Sequence, residues 1–170
     1  MGFEQITGPN SIAPTPPAGD ASNRVATTAF VSTAVSAAIA GIPYPSLTRI
    51  TNSLSANVGT STVGTYFDGP SVAQGSSGTW FVSGQVTVLD SANASTFFAK
   101  LWDGTTVIDS GNITTGGAAF AGVIALSGFI SSPAGNIKIS VREPNITTGV
   151  ISFNGSGNSK DSTITAIRIA

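Results

Sequence analysis

From Ser46 to Ala170 the sequence runs in short stretches that alternate apolar and polar residues, each closed by Gly, Asn, Asp or Ser. This punctuation limits the fold more than any other feature. A side-chain period of two suits a half-buried strand, and no apolar pattern of helical period lies between the stretches. In "TWFVSGQVTVLD", Val82, Val86 and Val88 fall on one face and Ser83, Gln85 and Thr87 on the other. "STFFAKLWDGTTVIDSG" predicts a hairpin, with strands near 95–102 and 105–110 joined by a two-residue turn at Asp103–Gly104. "AAFAGVIALSGFIS" reads as one long strand or two broken ones. "GNIKISVREP" alternates Ile137, Ile139 and Val141 with Lys138, Ser140 and Arg142. With "LTRITNSLSANV", "VGTYFDG", "GVISFN" and "STITAIRIA", eight or nine strands are expected, and their most economical closure is a jelly-roll-like β-sandwich head over residues 44–170.

The composition agrees with a packed β protein. Hydrophobic residues make up 41% of the chain, too many for a disordered one, while charged residues are only 9%. The surface must therefore be polar without charge, which leaves little electrostatic protection against association and favours a defined oligomer. The aromatic doublets Trp80–Phe81 and Phe97–Phe98 each place one ring on either side of a sheet. One ring of each belongs to the core, and its neighbour faces solvent, another subunit or a ligand.

Two different segments precede the strands. Residues 1–19 hold four of the nine prolines and cannot sustain a helix, so they are expected to form an extended docking arm. Its apolar and proline residues Phe3, Ile6, Ile12, Pro14, Pro16 and Pro17 are the candidate docking contacts. Residues 20–43 are expected to be helical: Asp20 or Ser22 caps the start, and Gly41 followed by Pro43 supplies the stop. Thr28, Val31, Val35, Ala38 and Ile42 recur at alternating spacings of three and four, forming one apolar seam. Burying a Val or Ile is worth about 1.5–3 kcal/mol, so three copies meeting at the Val35 and Ile42 layers gain about 9–18 kcal/mol before ordering costs. Periodicity alone leaves two partners open for the seam, copies of itself or the chain's own β domain.

Several functions are disfavoured. The chain has no Cys and no His, which removes disulfides, Cys or His metal sites, Cys nucleophiles and His acid–base schemes. Its seven basic residues are scattered along the sequence, unlike a nucleic-acid groove, and the net charge is −1. "GFEQITGPN" after Met1 has neither a basic nor an apolar signal region, and no apolar run approaches the ~18 residues of a membrane span. Synthesis and assembly in a cytoplasm are expected, with neither membrane nor nucleic acid as a partner. Asp68, Asp90, Asp103 and Asp109 lack calcium-loop spacing and are expected to cap turns, so no metal and no cofactor is assigned. "NITTG", at Asn112–Gly116 and Asn145–Gly149, reads as turn chemistry, as do the four Asn-X-Ser/Thr triplets. No pair of carboxylates is placed across a sugar cleft by its spacing, and no catalytic residue is expected.

One segment carries a resemblance. In "APTPPAGDASNRVATTAFVSTAV", residues 13–35, a proline-rich stretch leads to Gly19–Asp20, then to the basic Arg24 and to "ATTAFV" from Ala26 to Val31. This order resembles a segment of bacteriophage tail-fibre and related virion fibre proteins, where it often stands before a helical or stalk region. The resemblance implies a homotrimeric virion spike, of head or tail, whose amino-terminal arm docks on capsid or tail proteins. Its β head then presents loops to the surroundings, either only decorating the particle or attaching to host cell-surface polysaccharide, where three linked weak sites gain avidity. Phage fibres often carry long repeated shafts, and this chain has none. A free lectin-like adhesin and a small polysaccharide depolymerase are the competing readings.

Overall fold

A computed structural model describes residues 28–40, 47–145 and 147–170, with side chains described from Val31 onward. The chain divides into two units at Pro45/Ser46. The first contains the helix α1 (Thr28–Ala40). The second contains, among the described residues, ten strands: β1 (Arg49–Ser53), β2 (Val58–Gly59), β3 (Phe67–Val72), β4 (Thr79–Asp90), β5 (Thr96–Trp102), β6 (Val107–Thr114), β7 (Gly122–Ser131), β8 (Ile137–Arg142), β9 (Gly149–Ser152) and β10 (Thr163–Arg168).

All strand pairings are antiparallel. In the larger sheet the path is β1-β10-β4-β9-β2, with β7 also on β4. Twelve residues make β4 long enough to pair with β7 over Thr79–Val88, with β10 over Trp80–Gln85 and with β9 over Thr87–Asp90. The smaller sheet runs β3-β8-β5-β6. The chain is therefore mainly β and sandwich-like, as its alternation predicts.

The two sheets bury the residues that the alternation assigns to one face. Val82, Val86, Val88 and Ile164 from the larger sheet meet Phe97, Leu101, Ile137, Ile139 and Val141 from the smaller. The aromatic doublets divide as expected. Trp80 and Phe97 are in the core, while Phe81 and Phe98 are half-buried on outer faces. Phe81 meets Phe129, its register partner on β7, with ring centroids 5.0 Å apart. "AAFAGVIALSGFIS" forms one strand from Gly122.

Three local expectations are corrected. The β5–β6 connection is a four-residue loop, 103–106, and not a two-residue turn. The Asp103 carboxylate draws the chain into that loop by accepting the amides of Thr105 and Thr106 at 2.9 and 2.6 Å. Its other oxygen accepts the Ala134 amide at 2.7 Å. Asp90 caps the turn after β4 in the same way, through the Ala92 and Asn93 amides. Asp68 and Asp109, in contrast, lie within strands β3 and β6, where Asp109 accepts the Ser127 amide at 2.9 Å. Lastly, the first "NITTG" begins as strand, since Asn112–Thr114 close β6.

One end of the sandwich is tied by a buried polar cluster. Glu143 is fully buried and accepts the Thr60 hydroxyl at 3.0 Å and the Ser95 hydroxyl. Asp90, also fully buried, accepts the Thr148 hydroxyl at 2.7 Å. Gly149 lies against this cluster: a Cβ there would run into the Glu143 carboxylate, the Thr60 hydroxyl and the Phe97 ring.

Candidate functional site

The outer face of the smaller sheet gathers side chains that lie far apart in sequence. Alternation along β5 turns Phe98, Lys100 and Trp102 outward while Phe97, Ala99 and Leu101 fill the core. On β8 the outward set is Lys138, Ser140 and Arg142. Register sets Lys100 beside Ser140 and Phe98 beside Arg142. On the other flank of β8, Asp68 of β3 pairs with Ser140. On the other flank of β5, Ser110 and Asn112 of β6 stand opposite Lys100 and Phe98, and both are exposed.

A hydrogen-bonded chain orients the aromatic part. The Trp102 indole donates to the Ser140 hydroxyl at 2.7 Å, and that hydroxyl donates to Asp68 at 2.7 Å. The Lys138 ammonium caps the other Asp68 oxygen, also at 2.7 Å. Burial raises the Asp68 carboxyl, but the bonds from Lys138 and Ser140 outweigh it and hold the group below its ordinary pKa.

The remaining cations rest on rings. The Lys100 ammonium lies 3.2 Å from the Trp102 ring centroid and 4.3 Å from that of Tyr66. Burial pushes it below its ordinary pKa; Asp68 opposes that shift and Lys138 adds to it. The Arg142 guanidinium lies 4.9 Å from the Phe98 centroid and 5.5 Å from that of Tyr66. Its Nε is buried without a hydrogen-bond partner among the described residues. The face thus alternates π surfaces with cations, and its one carboxylate is occupied by Lys138 and Ser140. The basic residues are scattered along the sequence, but Lys100, Lys138 and Arg142 converge on this face of the fold. The traceable signal was their shared outward parity in two predicted strands; the adjacency of β5 and β8 was not written locally.

On the larger sheet, Gln85, Thr87, Val123, Ser156, Asn158 and Asp161 help line an open groove of about 610 Å³. Its polar groups largely satisfy one another. Asp161 accepts the Ser156 amide and hydroxyl, which hold its carboxyl below the ordinary pKa, and Thr87 donates to the Asp161 carbonyl at 2.8 Å. The smaller sheet, which leaves donors unused, is the better candidate for a ligand.

Of the expected trimer-seam residues, Val31, Val35 and Ala38 are exposed on α1, with Val31 at 48% and Val35 at 50%. Thr28 opens the helix, its side chain outside the described residues, and Ile42 lies beyond them. Ile39, which the seam did not include, is 49% exposed and continues the Val31–Val35 column one turn on. The docking residues Phe3, Ile6, Ile12, Pro14, Pro16 and Pro17 also lie outside the described residues. Among the described residues, no three acidic, His or Cys side chains converge as a metal site would need, and no helix is long and apolar enough to cross a membrane.

No protein-family model matches the sequence, and no curated protein does. Among solved structures, the chain is similar to the Eiger TNF of S. frugiperda, with a TM-score of 0.50 at 13% identity, covering 73% of this chain and 93% of that one. At that identity the likeness is one of fold, a jelly-roll-like sandwich. The C-terminal CBM6 of LamC, a marine laminarinase from Zobellia galactanivorans, matches with a TM-score of 0.36 at 16% identity, over 72% of this chain and 99% of that one. The VP2 subviral particle of infectious bursal disease virus matches with a TM-score of 0.35 at 10% identity, over 74% of this chain and 38% of that one. These last two are too distant in geometry to bear on function.

Proposed function

We propose that the protein is a structural, non-enzymatic component of a bacteriophage virion. It is a homotrimeric spike, assembled in the host cytoplasm, with residues 1–19 docked on capsid or tail proteins and the sandwich binding host-surface glycans. The observation that carries this reading is the helix α1. Its thirteen residues have no acidic side chain in the first turn and no basic one in the last, and Val31, Val35 and Ile39 stand about half exposed. A helix of that length whose described side chains, Val31 to Ala40, are all exposed is marginal in water by itself. Three copies meeting along Val31, Val35 and Ile39 supply the missing burial, in keeping with the fibre-like "ATTAFV" segment. The glycan-binding part rests on Tyr66, Phe98 and Trp102, whose rings suit the apolar faces of sugars and are flanked by exposed Ser110 and Asn112 as partners for hydroxyls.

The test is made on particles. Purified virions labelled at Ala170 are imaged alongside virions that carry the chain without residues 1–19. A label that projects from intact particles and is lost with the arm, while the shortened protein remains trimeric, supports the reading. Particles that retain the shortened chain, or never carry the full-length one, overturn it.

A further inference from the structure

Two cations on the smaller sheet are held in place without a hydrogen-bonded anion among the described residues. A Lys ammonium has three donors and an Arg guanidinium five. Yet among the described residues neither Lys100 nor Arg142 donates to an acceptor, and each is held by π faces. Asp68, the carboxylate of this face, is already occupied by Lys138 and Ser140. The Arg142 Nε is buried without an acceptor, which is costly, while the Lys100 ammonium remains open to oxygens from outside the chain. Tyr66 and Trp102 flank Lys100, while Ser110 and Asn112 stand exposed one strand away, surroundings that match a ligand bringing oxygens together with apolar faces and hydroxyls.

Resting on the glycan-binding reading, we infer that the outer face of the β3-β8-β5-β6 sheet binds an acidic saccharide, its carboxylate received by Lys100 and Arg142 and its ring placed beside Tyr66 and Trp102. A carboxylate accepts from both cations at once, and charge-assisted bonds of this kind are the strong ones. A neutral saccharide leaves both cations unanswered. A phosphodiester chain satisfies the charge but does not use the hydroxyl partners on β6.

Oligosaccharides of galacturonate, glucuronate, mannuronate and sialate are titrated calorimetrically into the full-length protein, each beside its methyl ester, which removes the charge and keeps the shape. A single-stranded oligothymidylate forms a further arm. At least one acid is expected to bind about tenfold or more tightly than its ester, weakening as salt is raised. Lys100→Met and Arg142→Gln each lose about tenfold for the acid, Lys100→Arg retains most of the affinity, and the thermal midpoints stay at the wild-type value. Equal binding of acid and ester overturns the acidic class while leaving the glycan-binding reading in place. Binding of no saccharide overturns both. Oligothymidylate binding as tight as that of the best acid overturns the inference. Should a variant fail to fold, salt-independent binding of the acid by the unmodified chain overturns it as well.

Discussion

At the residue scale, the buried carboxylates of Asp90 and Asp103 fix the turns that follow β4 and β5. Asp103 shows how. Burial raises its carboxyl, but the amides of Thr106, Ala134 and Thr105 outweigh this and leave it below its ordinary pKa. Asp90 behaves alike, with burial opposed by the Thr148 hydroxyl, the Ala92 and Asn93 amides and Glu143. A carboxyl whose folded pKa lies below its unfolded value stabilises the fold above that unfolded value, and the contribution is lost as pH falls through the folded one. The urea midpoint is therefore expected to be flat from about pH 7 to 5 and to drop below about pH 4, where free aspartates protonate. A midpoint that holds at about pH 2 contradicts this, because aspartates free in the unfolded chain are protonated there. Asp103→Ala orphans amides that its buried carboxylate satisfies and should cost about 2–4 kcal/mol by equilibrium unfolding. Gly149→Ala forces a methyl into the Glu143–Thr60–Phe97 corner and should cost about 1–3 kcal/mol, read the same way.

At the scale of elements, the sequence is legible wherever one strand carries its own pattern. Val82, Val86 and Val88, or Ile137, Ile139 and Val141, declare their buried face without help from a neighbour, and all six are fully buried. Loops were less legible, because Asp103–Gly104 alone does not reveal that the Asp carboxylate gathers the Thr105 and Thr106 amides into a longer connection. The cation–aromatic face was invisible for a related reason. Lys100 and Arg142 come together only because β5 and β8 are neighbours, a fact of strand order that no local pattern encodes. On α1, Val31, Val35 and Ile39 are about half exposed, and the three-and-four spacing expected of a seam includes the first two and steps past Ile39. Val31→Asp with Val35→Asp places charge where three helices are proposed to meet. Sedimentation should then show monomers, with far-ultraviolet circular dichroism still reporting an intact β unit. Trimers of undiminished stability would remove α1 from the assembly.

At the scale of the whole molecule, the sandwich closes by burying its strands' apolar faces and presents two unlike outer surfaces. The smaller sheet shows cations and rings; the larger shows a mostly uncharged face with the Phe81–Phe129 pair. With so few charges on the chain, the arrangement suits a protein that works as a fixed array of copies: weak single sites become useful when several engage one repetitive polymer. Tethering between copies is thus the premise on which docking, projection and avidity all depend. Sedimentation equilibrium of the full-length protein tests it most directly. A mass three times that of one chain, holding upon dilution, is expected, and a single-chain mass at every concentration would contradict tethering.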